Sequence, residues 1–561
     1  MYMRLGRLWD GLAVVAAACL LSSAPAVRAQ LANPGAGAAN APAIDRDRAD
    51  RVEPGIQPSP AAPRQPAPAV NLSPAAEPAA SIRLTKVLYM GASLPVANLD
   101  AAVAPLVGRP LTRDTLQAVA TAVGAAYARS DIAYYSVSIP AQIPAAGQLI
   151  VQVVEGRVTD YRLAGLSPST PTRLIDAHMQ RMMRDAPLRK SMLQRTLALL
   201  RDIPGQTVDA AVRQGAKSGD LIIDLIVKRK QLQVGLLIDN SGVSNVVNGV
   251  QAQLSITANG LLREGDSTRV AGYLPFYPER YQLYSLSHSS PIGSNGTTLS
   301  GNVAHVETRQ RDGLIKGDAT LAGIALSHPL IRSNKTNLSV TASFDGVNSS
   351  NYYLDVRFGD YKARAIRLGA SWSHASDTDG EAASLVISRG VNILGAKPFT
   401  GFSETGFTKA NMQAVAVRGL SKRLSVKLSL KGQYSRDKLP VTERFSLGGR
   451  GAGMAFRLGT RTAEQAAAAA AEISWTLPPK LTPLKNAALF AYADGAVAHS
   501  VARPFYALPA ENASLASAGG GIRVGLGGKW RASAEVAVPV KRPDSAHSRK
   551  ARFFFGLGRA F

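Results

Sequence analysis

From Gln231 onward the sequence adopts a two-residue rhythm, and that rhythm constrains the fold of this 561-residue chain more than any other feature. Leu232, Val234, Leu236 and Ile238 alternate with Gln231, Gln233, Gly235, Leu237 and Asp239; a turn follows at Asn240-Ser241-Gly242. The rhythm resumes with Val250, Ala252, Leu254, Ile256 and Ala258 on one parity and Gln251, Gln253, Ser255 and Thr257 on the other. Leu338 to Asp345 and Leu424 to Lys431 repeat it. Strict alternation marks a strand between two unlike environments. Strands of soluble sandwiches average about five or six residues. These runs reach about nine or ten, the length with which a tilted strand crosses a bilayer. Ser, Thr, Gln and Lys suit a wet lumen, and small or branched apolar residues suit lipid. Residues 231–561 therefore read as a transmembrane β-barrel.

Residues 1–29 read as a secretory signal peptide. Arg4 and Arg7 provide the positive start, Leu12 to Leu21 the apolar core, and Val27-Arg28-Ala29 the cleavage site. That core is too short for a mature membrane helix. Cys19, the chain's single cysteine, lies mid-core after Ala16-Ala17-Ala18, which disfavours a lipid-anchored cysteine. A mature chain without cysteine has no disulfides, thiol catalysis or thiolate metal ligands. Export, the absence of a later apolar helix and a long alternating region point to a Gram-negative outer membrane. The formal charge of +25 comes from Lys and Arg spread through the chain, without a concentrated basic run interleaved with aromatic residues, so nucleic acid is not an expected partner.

Residues 30–80, rich in Ala, Pro and Gly, read as a linker. Within it, Ala43 to Val52 alternates Asp and Arg and fits a short helix or a solvated run. Residues 81–165 then follow the order β, α, α, β, β. Ile82 to Tyr89 is a strand, an Ala-rich helix lies near Leu99 to Val107, and Thr112 caps a second helix. Tyr134 to Ile139, Leu149 to Val154 and Val158 to Leu163 are strands. Residues 166–230 repeat the plan with helices at Leu174 to Met183 and Met192 to Leu200 and strands at Thr207 to Arg213 and Leu221 to Val227. Two small α+β modules precede the barrel.

The ordered set Val153-Val154-Glu155-Gly156-Arg157, Asp202-Ile203-Pro204-Gly205 and Gly219-Asp220-Leu221, leading into Asp239-Asn240-Ser241-Gly242, resembles the two-partner secretion transporters of the haemolysin and filamentous-haemagglutinin type. The resemblance covers about residues 81–561. It implies two periplasmic POTRA domains (81–165 and 166–230) and a barrel of sixteen antiparallel strands that exports one large exoprotein. The 331 residues from 231 to 561 allow about 21 per strand, room for a ten-residue strand and its share of turns.

Phe445-Ser446-Leu447-Gly448-Gly449 resembles the start of that family's long sixth extracellular loop, which folds back into the lumen. Family members continue to Val-Arg-Gly or Val-Arg-Ala and an aromatic residue, the arginine pairing with a lumenal acid. Here Phe456 matches the aromatic, Met454 stands where the arginine would be, and Asp494 resembles the acid. A thioether cannot pair with a carboxylate, so Arg450 or Arg457 replaces the missing cation, or both are ordinary loop charges. The first module departs as well, with Ser130-Asp131-Ile132 where relatives carry Gly-Tyr. Asp tolerates the same turn geometry.

At the C-terminus Phe553, Phe555, Leu557 and Phe561 share one parity, as in the last strands of outer-membrane barrels, where the resemblance implies a signal read by the barrel-assembly machinery. Other expected partners are outer-membrane lipid and the exoprotein, unfolded in transit. With no ATP outside the inner membrane, the cargo itself must drive transport: POTRA strand edges capture it by β-augmentation, and folding outside makes the step irreversible. Candidate edges carry Tyr134, Tyr135, Val137 and Ile139, and Val208 and Val212. The alternative for most of these residues is simply holding the modules together. No zincin, serine-hydrolase or phosphate-loop motif occurs, and nothing calls for a cofactor or metal, so an enzyme is not expected. A barrel-assembly factor of the same superfamily and a passive channel are the rival functions. The two modules argue against both.

Overall fold

The computed structural model describes residues 54–56, 69–72 and 79–560, apart from 143–144, 245, 248, 311–312, 479–484 and 527–528. The signal segment with Cys19, the run Ala43 to Val52 and Phe561 lie outside the described residues.

The first module contains strands β1 (Ala69–Leu72), β2 (Ala79–Arg83), β3 (Lys86–Met90), β4 (Pro110–Leu111), β5 (Tyr135–Ile139) and β6 (Gln148–Glu155). Its helices are α1 (Val96–Val103) and α2 (Arg113–Arg129). Thr112 caps α2 by accepting the Thr115 amide at 3.3 Å. The 3.6-residue spacing of Leu116, Val119, Ala120, Val123 and Tyr127 lays one face of α2 onto Val137, Ile139, Leu149, Val151 and Val153. Expected as one strand, Ile82 to Tyr89 is broken at Leu84 and Thr85, where the backbone turns aside to bond the Arg109 and Gly147 carbonyls. The sheet order is β1-β5-β6-β3. Part of the expected linker is thus a strand: β1 runs parallel to β5, Ala69 opposite Ser136 and Leu72 opposite Ile139. An extended chain needs only its backbone groups to join an open edge.

The second module comprises β7 (Arg157–Ala164), α3 (Arg173–Met183), α4 (Lys190–Asp202), β8 (Gln206–Gln214) and β9 (Asp220–Arg229), in sheet order β7-β9-β8. The strand expected to close the first module, Val158 to Leu163, belongs to this sheet instead, parallel to β9. The cause is Gly156, where a Cβ would lie 2.7 Å from Tyr134 Cβ and 2.8 Å from the Leu221 side chain. The chain therefore crosses between the modules there, and Val158 is buried with Ile175, Leu197, Val208 and Ile223.

The barrel closes through sixteen antiparallel strands. These are β10 (Leu232–Asp239), β11 (Gln251–Asn259), β12 (Ser267–Pro275), β13 (Tyr281–Ile292), β14 (Thr297–Arg309), β15 (Ile315–Arg332), β16 (Thr336–Tyr353), β17 (Val356–Ala375), β18 (Asp379–Gly390), β19 (Thr408–Gly419), β20 (Leu424–Tyr434), β23 (Gln465–Thr476), β24 (Lys485–Ser500), β25 (Glu511–Leu526), β26 (Trp530–Lys541) and β27 (Arg552–Ala560). β27 pairs with β10 to complete the ring. Between β20 and β23 the short pair β21 (Phe445–Leu447) and β22 (Arg461–Ala463) sits apart from the wall. Leu254, Ile256, Val340 and Leu428 are exposed on the outer face, as the alternation requires. Strand length departs from the ten-residue expectation: β15 and β16 have 18 residues and β17 has 20. Their outer ends carry Asp318, Asn348 and Lys362, so this wall continues beyond the apolar band into water.

The second module docks on the periplasmic turns. The Arg332 guanidinium grips Asp202 with two bonds of 2.6 Å, Arg229 meets Glu264 at 2.8 Å, and Arg195 donates to the carbonyls of Asn295, Pro329 and Leu330. Gly205 packs against the same edge, its missing Cβ 2.4 Å from the Lys230 carbonyl and the Asn259 amide.

Candidate functional site: the lumen and its infolded loop

The 435–464 segment folds back into the barrel and reaches opposite walls. Near its start Glu443 accepts from Arg367 on β17 at 2.9 Å and lies 2.7 Å from Lys409 on β19. Arg367 also bonds Asp345 on β16 at 2.8 Å. All three loop-facing groups are nearly inaccessible, a buried cation–anion network. Near its end Glu464 pairs with Arg444 at 2.9 Å and with Arg503 at 2.6 Å. Arg503 lies over the Phe402 ring, 4.2 Å from its centroid, so Glu464 links the infolded loop to the extracellular loops 391–407 and 501–510.

At the tip, Gly448, Gly449, Gly451 and Gly453 all adopt positive φ, a run that turns successive amides inward. Both the Gly453 and Met454 N–H groups donate to Asp494 at 2.9 Å, and the Ser517 hydroxyl donates to the same carboxylate. The Ala455 amide continues the row, donating to Ser517 Oγ at 3.2 Å. Asp494 is thus held by main-chain donors, not by a guanidinium. Neither expected substitute is its partner: Arg450 pairs with Glu535 on β26 at 2.7 Å, and Arg457 lies near Gly242 in the turn after β10. The reason is geometric. Once glycine geometry turns two amides onto one carboxylate, charge-assisted N–H bonds satisfy it, and position 454 is free to be apolar. Met454 fills that role, buried with Phe456, Ala468, Leu515 and Phe554. Phe456 also meets His547 edge-on, with ring centroids 6.2 Å apart.

The loop leaves a lumenal cavity of about 650 Å³ lined by Asp239, Gln253, Asn411, Lys431, Arg450 and Glu535. A smaller one of about 290 Å³ brings Lys427, Lys431, Glu472, Arg523 and Asp494 together. Charges of both signs thus face the lumen beside apolar loop side chains such as Phe445, Met454 and Phe456.

The side chains expected at the cargo edges pack in the module cores. Val137 and Ile139 are fully buried in the first core, Tyr135 packs on Tyr127 at 5.1 Å, and Tyr134, Val208 and Val212 lie in the second core. Their backbone edges differ. That of β5 is occupied by β1, whereas β8 has β9 as its single strand neighbour among the described residues. Asp131, the departure in the first module, supplies a cap to the second: its carboxylate accepts the Ser191 amide at 3.0 Å and the Ser191 hydroxyl at 2.6 Å, at the start of α4. Glu155 accepts from Tyr127 at 2.6 Å and from both donors of Ser93 at 2.8 Å, which fixes the end of the first module. On β27, Phe553 is 58% exposed on the outer face while Phe554 turns inward onto the loop.

Glu443, Glu464, Arg367, Lys409, Arg503, Glu535 and Ser517 did not stand out in the sequence. A partial signal existed for the first four, since each is a charge inside or beside an apolar alternation.

Residues 218–524 match the haemolysin secretion/activation proteins of the ShlB/FhaC/HecB group, and residues 82–156 match the ShlB-type POTRA domain. The outer membrane transporter CdiB of Escherichia coli is 23% identical over 416 residues, 70% of this chain and 69% of that one. Among solved structures, CdiB from Escherichia coli has a TM-score of 0.74 at 20% identity, covering 95% of this chain and 100% of its own. CdiB from Acinetobacter baumannii gives 0.63 at 14% identity, over 99% of this chain and 97% of its own. BamA from Haemophilus ducreyi lacking POTRA domains 1–3 gives 0.50 at 14% identity, over 85% of this chain and 100% of its own. These structural likenesses bear on the fold alone.

Proposed function

The chain belongs to the family of haemolysin secretion/activation proteins, and from that premise we propose how its cargo is taken up. The protein is an outer-membrane transporter of the two-partner secretion type, with its POTRA modules in the periplasm. An unfolded exoprotein segment docks first on β8 of the second module, adding a strand through main-chain hydrogen bonds, and then passes into the lumen beside the infolded loop. The observation that carries this reading is the strand order β7-β9-β8, which leaves the outer edge of β8 unpaired among the described residues. Thr207, Asp209 and Arg213 on that strand are exposed. The edge of β5 serves only after β1 leaves it. Export is passive in the sense that each contact is weak, and refolding outside supplies the direction.

The experiment has two stages. Deleting the gene and comparing proteins in the medium identifies the exoprotein. Photo-crosslinking residues are then placed at Thr207, Asp209 and Arg213, and at Ser136 and Ser138 on β5, during secretion. Adducts with the exoprotein at the β8 positions are expected, with little labelling from β5 while β1 is in place. Adducts confined to β5, or none at β8 in a strain that still secretes, would overturn the assignment.

A further inference from the structure

The outer wall from β12 to β17 repeats one arrangement three times near its periplasmic edge. Thr268 on β12 meets His288 on β13, Thr297 on β14 meets His328 on β15, and Thr336 on β16 meets His374 on β17. The hydroxyl oxygen lies 2.8, 2.8 and 2.9 Å from imidazole Nδ1 in the three pairs. Thr297 and Thr336 open their strands, and Thr268 is the second residue of its own, so all three pairs sit where the strands leave the periplasmic turns.

The histidines share the outward parity of Leu286, Leu326 and Leu368, which are 50%, 45% and 64% exposed. Their height follows from the apolar band. On β17 the outward residues between Arg364 and His374 are Ile366, Leu368, Ala370 and Trp372. Ten residues of a strand inclined at about 40° rise roughly 26 Å, close to the height of the apolar belt of such barrels. The β14–β15 pair repeats the frame, with Thr297 and His328 below, His305 and Thr320 above at 2.9 Å, and Leu299, Val303, Ile324 and Leu326 between. Trp372 stacks on His374 with ring centroids 6.5 Å apart, as an interfacial aromatic would.

We propose that these three pairs form a girdle for phospholipid headgroups: Nε2–H of His288, His328 and His374 donates to phosphate oxygens of glycerophospholipids in the periplasmic leaflet. The threonine hydroxyl occupies Nδ1, and it can donate to or accept from that nitrogen; the girdle requires the tautomer in which it donates. With the hydroxyl donating to Nδ1, the ring proton resides on Nε2, and a donor at the edge of hydrocarbon requires an acceptor. No protein acceptor for Nε2 of these three rings occurs among the described residues, whereas His305 has Glu307 at 3.4 Å. Phosphate is the acceptor that this level of the membrane supplies, and the exposed Lys335 ammonium beside Thr336 adds matching charge. The consequence is mechanical. The same wall carries the turns that Arg195 and Asp202 of the second module grip, so lipid bound here fixes the height of that module below the membrane.

The test uses the full-length protein, its histidines labelled with nitrogen-15, in phosphatidylethanolamine–phosphatidylglycerol vesicles. Dipolar dephasing of nitrogen by lipid phosphorus should appear at Nε2 of the three rings and not at His178. Each single His→Leu substitution should remove one signal, and the triple variant should retain several-fold fewer phospholipids on release into detergent, its folding checked by heat-modifiable gel mobility. No dephasing in the folded wild type overturns the proposal, even if the triple variant fails to fold. Equal dephasing in detergent with inorganic phosphate and no lipid also overturns it, since the site would then bind a bare anion.

Discussion

Asp494 shows how a residue can keep its place while its partner changes kind. Its position was legible from the resemblance of Phe490-Ala491-Tyr492-Ala493-Asp494-Gly495 to the family's acid-bearing strand, and a buried acid must be satisfied. Its partners were not legible, since backbone amides carry no side-chain signature. The glycines at 451 and 453 were the overlooked clue. Replacing Asp494 by Asn removes the charge and sets an amide donor against the Gly453 and Met454 N–H groups. The expected cost is roughly 1–3 kcal/mol. Gly453→Ala should do at least as much harm, because φ is +102° and the new Cβ would lie 2.0 Å from Leu515 Cδ1. Arg450→Gln should do less, as that side chain is 62% exposed and bonds Glu535 instead. Tryptic cleavage after Arg457, a site that every variant keeps, reads the loop's release in outer-membrane vesicles. Faster cleavage in Arg450→Gln than in Asp494→Asn would restore the arginine as the anchor.

At the level of elements, most helices and strands followed from periodicity, and the errors concern which neighbour a strand chooses. Val158 to Leu163 alternates correctly but says nothing of the sheet it joins; Gly156, by excluding a Cβ, decides that. Likewise Ala69 to Leu72 has no strand-like pattern, yet its backbone pairs with β5. Within the second module α3 carries a consequence for pH. His178 is 4% exposed among Ile175, Met179 and Met182, and burial, aided by the nearby Arg181, pushes its imidazole down to about 4. A group held neutral in the fold binds fewer protons than the unfolded chain, so stability falls with pH once the unfolded imidazole begins to charge, near 6.5, until the folded one also charges near 4. The loss should be about 2 kcal/mol at about pH 5. Limited proteolysis of the second module should quicken between neutral pH and that point, and His178→Leu should abolish the difference. Identical rates in both proteins would show that the histidine plays no part.

For the whole molecule, a barrel and two modules were legible because alternation and the two αβ units leave few other arrangements, while the number sixteen came from the family resemblance and the length only agreed with it. What the sequence could not convey is how loops distant in the chain close the extracellular mouth. Glu464, Arg444, Arg503 and Phe402 are separated by up to a hundred residues and meet only because the barrel brings loops 391–407, 435–464 and 501–510 to one rim. If cargo leaves through that rim, the rim must open. Gly401 and Phe505 offer a way to hold it shut, since a Cβ on Gly401 would stand 2.9 Å from Phe505 Cβ, and a small outward shift of either loop brings the pair to the roughly 3.5–4.5 Å of a disulfide. Cys19 is the chain's single cysteine, so the double variant Gly401→Cys/Phe505→Cys, made together with Cys19→Ala, is free of competing thiols. Under oxidising conditions the exoprotein should vanish from the medium, and reductant should restore it, while either single variant secretes normally. Undiminished secretion with the disulfide verified would mean that the chain leaves between the remaining loops, with the Glu464 cluster a fixed part of the wall and not a door.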